Sequence, residues 1–215
     1  MHNPVKIIQC PTCEQKYRNG SVIYWLEHHN KIWSDGYRSC DISNELPLIT
    51  RCDECYSYFW IAPVSNPSGR KSGLVWLSLN PIHSPGKFSI QPVRKLAPEE
   101  FAEVLALKKF TSPEEERYLR IQLWWAINYP LRNGKPLEIS VEMAELFEEN
   151  LETLIYKTPA NGPENLLTLA EMNRELGQYR EALQYLDRVR DPDYRPIIQK
   201  LRQKITLEDR WVFLL

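Results

Sequence analysis

Net charge is almost absent from this chain: 27 Lys and Arg stand against 28 Asp and Glu among 215 residues, leaving −1. A protein that binds nucleic acid by neutralising phosphates needs a basic excess, and none is present. Also missing are a run near the ~20 apolar residues of a membrane span and an N-terminal apolar stretch of signal-peptide length. Together these absences predict a cytoplasmic protein without a membrane partner. There is no Gly-rich phosphate loop, no Gly-x-Ser-x-Gly and no His-Glu-x-x-His, so the familiar sequence signs of nucleotide, acyl-transfer and metalloprotease chemistry are lacking. What remains is an ordinary globular composition, 43% hydrophobic and 26% charged, with room for one large or two small domains.

Against this background the cysteines stand out. Four of the five fall in two Cys-x-x-Cys pairs, Cys10 with Cys13 and Cys52 with Cys55. Each pair places two thiolates on one tight turn, at a separation that suits two corners of a tetrahedron with Zn–S near ~2.3 Å. Short β-prone runs precede both pairs (Val5 to Gln9, Leu48 to Arg51) and aromatic residues follow them (Tyr17; Tyr56, Tyr58, Phe59, Trp60). A strand therefore enters each knuckle and another leaves it. Cys-x-x-Cys is also the dithiol of redox proteins, but that motif is single and opens a helix. The odd count and paired spacing fit a reducing compartment, where such pairs bind metal more often than they form disulfides.

Residues 5 to 62 resemble the zinc-ribbon and rubredoxin-like family, in which two knuckles on antiparallel strands clamp one structural zinc. That resemblance implies a Zn2+ site formed by Cys10, Cys13, Cys52 and Cys55, closed to a catalytic water. Glu14 and Tyr56 stand where glycine commonly follows the knuckle, so either they adopt a left-handed conformation or the turn differs. The 38 residues between the pairs leave room for an inserted hairpin. Its turn is signalled at Trp33-Ser34-Asp35-Gly36-Tyr37, with Asp35 and Gly36 at the positive-φ positions. His28 and His29 read as solvated polar residues, and Cys40 as a small buried hydrophobe. The aromatics Tyr24, Trp25, Trp33 and Tyr37 read as the small core of this module rather than as a platform for stacking bases.

Residues 63 to 97 form a proline-rich connection containing a strand-like run, Leu74 to Leu79. From residue 98 to 215 the hydrophobic period changes to 3.6. Pro98-Glu99-Glu100 starts one helix, and Ser112-Pro113-Glu114-Glu115 starts a second that Pro130 and Gly134 end. A third spans about 140 to 157, with Ala144, Phe147, Leu151, Leu154 and Ile155 on one face. Leu166, Leu169, Ala170, Gly177, Tyr179, Ala182, Leu183 and Tyr185 then follow the order of large, small, turn and aromatic positions of a tetratricopeptide repeat, which residues 163 to 189 resemble. A further helix runs from Pro196 to about Lys204. Thr206-Leu207-Glu208-Asp209 reads as a helix-start signal ahead of an apolar end.

The expected fold class is α+β: an N-terminal antiparallel zinc ribbon with a hairpin insert (1–62), the connecting segment (63–97) and a repeat-like helical domain (98–215). The repeat resemblance implies a protein or peptide partner, with Leu167, Glu171 and Arg174 at the inner-face positions that would meet it. Trp211, Phe213 and Leu214 either dock on the protein's own surface or mediate self-association. An interaction protein is the leading reading; a nucleic-acid-associated ribbon and a dithiol oxidoreductase are the alternatives.

Overall fold

The computed structural model describes residues 6–19, 31–39, 47–61 and 90–215. Cys40, His28, His29, Tyr24, Trp25 and the run Leu74 to Leu79 lie outside them. Among the described residues, three small antiparallel hairpins precede six α-helices, an α+β architecture. Two compact units form: the first comprises 1–29 and 40–118, the second 30–39 and 119–215.

In the first unit, β1 (Lys6–Gln9) pairs with β2 (Lys16–Asn19), and β5 (Ile49–Arg51) pairs with β6 (Tyr58–Trp60). Alternation puts Ile8, Tyr17 and Phe59 into one small core with Ile61 and the sulfurs of Cys10 and Cys52. Residues 91–93 extend the first hairpin: Arg18 N–H donates to the Gln91 carbonyl at 2.9 Å and Val93 N–H to the Arg18 carbonyl at 3.1 Å. Helix α1 (Pro98–Ala106) has proline in its first turn, and the Glu100 carboxylate accepts from Ala97 N–H at 2.9 Å, which satisfies an otherwise orphaned donor. Its residues hold the second hairpin, with the Tyr58 hydroxyl donating to Glu103 at 2.5 Å. The Trp60 indole donates to the Lys109 carbonyl just beyond the helix.

Helix α2 (Pro113–Arg132) runs past Pro130 rather than ending there. Proline removes one backbone donor, but the last turn is rebuilt around Gly134, at φ +68°. Lys135 N–H donates to the Pro130 carbonyl and Gly134 N–H to the Leu131 carbonyl, which is the Schellman pattern. The Arg132 guanidinium also takes the Trp125 carbonyl at 2.8 Å. Helix α3 (Val141–Lys157) is capped by Ser140 and buries Phe147, Leu151 and Leu154 as its spacing predicts.

Helices α4 (Pro163–Glu175) and α5 (Tyr179–Leu186) form a hairpin whose turn closes on Gly177 at φ +75°. Ala170 and Ala182 are fully buried and lie in one cluster with Leu186, Leu201 and Ile205, the last two from α6 (Arg195–Thr206). The segment expected to start a helix at Thr206 instead ends α6. Glu208 adopts φ +52°, and Asp209 N–H donates back to the Lys204 carbonyl at 2.9 Å. A polar side chain ahead of an apolar run looks the same in sequence at either end of a helix; here the left-handed residue makes it a C-terminal cap.

The inserted hairpin, β3 (Lys31–Ile32) and β4 (Arg38–Ser39), belongs with the helices of the second unit. Gly36 takes φ +77° while Asp35 does not have a positive φ. Paired backbone bonds from Gly36 N–H to Trp33 O and from Trp33 N–H to Tyr37 O make a three-residue loop with a left-handed glycine. Asp35 is buried, accepting from Tyr37 N–H and the Arg132 guanidinium. The Trp125 indole donates to the Asp35 carbonyl at 3.0 Å, and the Tyr37 ring meets the Trp125 ring edge-on. Trp33 and Tyr37 thus serve the helical unit. The chain's end adds to the same hairpin: Ser34 N–H donates to Phe213 O and Leu215 N–H to Ile32 O, each near 2.9 Å.

Candidate metal centre

The two knuckles repeat each other bond for bond. Cys10 N–H donates to Gln15 O at 2.8 Å and Glu14 N–H to Cys10 O at 3.0 Å; Cys52 N–H donates to Ser57 O at 2.9 Å and Tyr56 N–H to Cys52 O at 3.0 Å. Glu14 and Tyr56 carry φ of 63° and 59°. The turn is therefore retained without glycine, with two L-residues held in the left-handed region at a modest cost. Knuckle geometry aims backbone N–H groups at sulfur: those of Thr12 and Cys13 at Cys10, those of Glu54 and Cys55 at Cys52.

The four Sγ atoms lie within 4.8 Å of one another. Between the knuckles, the sulfurs of Cys10 and Cys55 lie 3.6 Å apart and those of Cys13 and Cys52 3.5 Å apart. A tetrahedron with metal–sulfur bonds of ~2.3 Å has edges of about 3.8 Å, so the set matches a four-thiolate cage. Cys10 and Cys52 are buried, Cys55 is half-buried and Cys13 is exposed.

Side chains complete the surroundings. The Tyr17 hydroxyl donates to Cys52 Sγ at 3.2 Å and accepts from Asp53 N–H at 2.8 Å. Ser57 Oγ lies 2.9 Å from Cys55 Sγ and 3.5 Å from Cys10 Sγ. Burial alone would raise the Cys10 thiol, but the bonds from Ser57, Cys13 and Thr12 outweigh it and bring it down to about 6. Cys52 is lowered in the same way: burial opposes, and the N–H groups of Cys55 and Glu54 with the Tyr17 hydroxyl prevail. Cys13 moves the other way, to about 12. The Gln15 N–H favours its thiolate, but burial and the neighbouring sulfurs of Cys52, Cys55 and Cys10 together outweigh that bond. A cluster that ionises two thiols readily and resists further negative charge is the electrostatic setting that a bound cation relieves.

Tyr17 and Ser57 were not singled out as site residues from sequence. Tyr17 lies four residues after Cys13, and Phe59 lies four after Cys55. These matched rings sit 6.2 Å apart at the centre of the first unit, so the repeat of an aromatic at that offset was the available signal.

Of the residues expected to face a partner, Glu171 and Arg174 are buried and Leu167 is half-buried. Glu171 and Arg174 are fully buried and joined by two bonds of 2.8 and 2.6 Å. Arg174 also donates to the carbonyls of Asp209 and Trp211. Leu167 packs beside Ala170 and Ala182 in the cluster between α4, α5 and α6. Trp211 and Leu214 each remain 48% exposed while Phe213 is half-buried. Among the described residues no helix is long and apolar enough to cross a membrane.

No protein-family model matches the chain, and no curated protein or solved structure shows significant similarity to it.

Proposed function

We propose that this protein is a zinc-stabilised interaction module: a zinc ribbon whose ligands are Cys10, Cys13, Cys52 and Cys55, followed by a tetratricopeptide-like helical part that presents a surface to a protein partner. The observation that carries the metal half is the cage of four sulfurs within 4.8 Å of one another, with contacts of 3.5 and 3.6 Å between knuckles. Zinc is the cation chosen because a closed set of four thiolates is its commonest structural environment and leaves no position for a catalytic water. The metal's part is to hold the two hairpins together, since a β unit of this size has too little core to be stable alone. The partner half follows from the repeat-like α4–α5 hairpin and from large apolar side chains left in solvent on the second unit, among them Tyr156, Val141 and Trp211. Because fold alone fixes no partner, this half stands on surface chemistry.

Elemental analysis of the purified chain tests the first half: one zinc per chain is expected, lost in Cys10→Ser and Cys52→Ser and kept in Cys40→Ser. A metal-free parent, or metal lost only with Cys40, rejects the assignment. For the second half, a partner cross-linked to the chain in its host should be lost when Tyr156 and Val141 are made serine while the metal is retained.

A further inference from the structure

The second unit buries three carboxylates and two guanidinium groups, and each guanidinium already has its own acid. Arg174 grips both carboxylate oxygens of Glu171 through Nε and Nη2, and Arg132 holds Asp35. The side chains of all four are between 0% and 4% exposed. Glu175 is the carboxylate left over, and it too is buried, at 2%. Its Oε2 accepts from the Trp124 indole at 2.9 Å and from Asn128 Nδ2 at 3.0 Å, whereas Oε1 meets no donor. Both donors to Oε2 are neutral.

We infer that Glu175 is a neutral carboxylic acid in the folded protein, and that its proton is the latch that keeps the inserted hairpin and the chain's end seated on α2 and α4.

The groups facing this carboxyl come from every element packed around it. Helix α2 supplies Trp124, Asn128 and Arg132, and α4 supplies Glu171 and Arg174. The hairpin supplies Asp35, bridged to Glu175 through the shared Asn128 amide. The segment beyond α6 supplies Asp209 and Arg210, but Arg210 directs its Nε to the backbone carbonyl of Glu175 and its terminal nitrogen toward Glu148. Lys204 is occupied by Asp209 at 2.6 Å. Among the described residues, each cation around this carboxyl is thus already bonded to another group, although Arg132 Nε itself meets no acceptor. Burial pushes the Glu175 carboxyl well above its usual range, the charges of Glu171 and Asp35 push it further, and Asn128 and Arg174 only partly oppose them. Burial raises the Asp35 carboxyl too, but the Arg132 guanidinium and the Tyr37 N–H oppose that rise, whereas Glu175 has only its two neutral donors. The excess proton belongs on Glu175.

Ionisation would place a third negative charge against Asp35 and Glu171, with an oxygen that has no donor. The elements with least to lose are the short hairpin 31–39 and residues 212–215, which meet each other through a few backbone bonds. The sign follows from linkage. The folded state holds a proton that the unfolded or opened state gives up near the ordinary glutamate value of ~4.3, so stability falls as pH rises from there to the folded value. One proton changes the opening equilibrium by up to about tenfold per pH unit in that window.

The test compares the full zinc-loaded chain with Glu175→Gln and Glu175→Ala, following hydrogen exchange in residues 31–39, 123–129 and 210–215 from about pH 6 to about pH 9. After correction for intrinsic exchange, the parent should open progressively more as pH rises, Glu175→Gln should be flat, and Glu175→Ala should be looser throughout. In the parent alone, carbon-13 spectra of side-chain carboxyls should show one glutamate still protonated well above the ordinary glutamate range. A parent with no carboxyl protonated there, or a Glu175→Gln chain as loose as Glu175→Ala against a flat parent, overturns the inference. If neither variant folds, the carboxyl spectrum of the parent decides. None of these outcomes depends on whether the cysteines hold zinc or on whether the helices bind a partner.

Discussion

The Tyr17 hydroxyl donates to Cys52 Sγ at 3.2 Å although the two residues stand on different knuckles, 35 positions apart. At the matched position of the other knuckle is Phe59, which has no hydroxyl. The pseudo-symmetry is thus incomplete: Cys52 takes its hydroxyl from Tyr17 and Cys10 lies 3.5 Å from the Ser57 hydroxyl, and the Tyr17 oxygen also accepts from Asp53 N–H, so it fixes the start of the second knuckle's turn.

Tyr17→Phe should therefore keep the hairpins, since phenylalanine already fills the equivalent place, but lose the donor that helps hold Cys52 as a thiolate. Outer-sphere partners of this kind are worth about 10 to 100-fold in metal affinity. A titration against a chromophoric zinc chelator at neutral pH should show a loss in that range. Unchanged affinity would mean that the backbone N–H groups alone set the thiolate.

The Arg94 guanidinium, donating to Glu100 at 2.6 and 2.7 Å, holds that carboxyl near 2; burial opposes it, and the Ala97 N–H and Arg51 add to the lowering. Folded value lies below unfolded value here, so the stabilisation is present above ~4.3 and disappears as pH falls toward about 2. Glu100→Gln should cost on the order of 1 to 2 kcal/mol at neutral pH, discounted for the half-exposed Arg94. In acid the two chains should converge. Melting curves over that range check it; a difference that stays constant with pH would assign the cost to packing.

How far these sites could be read in advance depended on how local they are. The knuckles and the α4–α5 turn at Gly177 each depend on a few adjacent residues, and sequence spacing exposed both. Gly36 was legible as a turn residue for the same reason. The destination of its hairpin was not, because docking onto α2 is decided by Asp35, Trp125 and Arg132, almost a hundred residues apart in sequence. Pro130 misled because the helix tolerates one missing backbone donor there and is closed four residues later by the Gly134 cap. Glu171 and Arg174 looked like surface residues because charge normally is; nothing in a single sequence marks a charged pair that closes on itself.

Ala182 is fully buried among Leu186, Leu201 and Ile205, where a small side chain lets α5 approach its neighbours. Ala182→Trp should overpack this contact and destabilise by about 1 to 3 kcal/mol or more. Thermal melting of the helical signal reads the effect, and an unchanged midpoint would show that the helices can separate at this point without penalty.

The pair of Asp35 and Arg132 joins hairpin to helix with both side chains almost wholly out of water. Two charges brought there lose hydration that their attraction only partly returns, so the pair's value lies in what happens when one member is missing. Arg132→Met would leave Asp35 buried with only the Tyr37 N–H and the Asn128 amide as donors, and it should cost about 3 to 5 kcal/mol. Combining it with Asp35→Asn removes the stranded charge while keeping the shape of the turn, so the double variant should recover part of that loss. A double-mutant cycle measured by urea unfolding gives the coupling, expected at roughly 0.5 to 3 kcal/mol for groups in direct contact. If the two changes simply add, the hairpin is held by Trp125 and the backbone bonds of residues 213–215, and Asp35 is a passenger in its own turn.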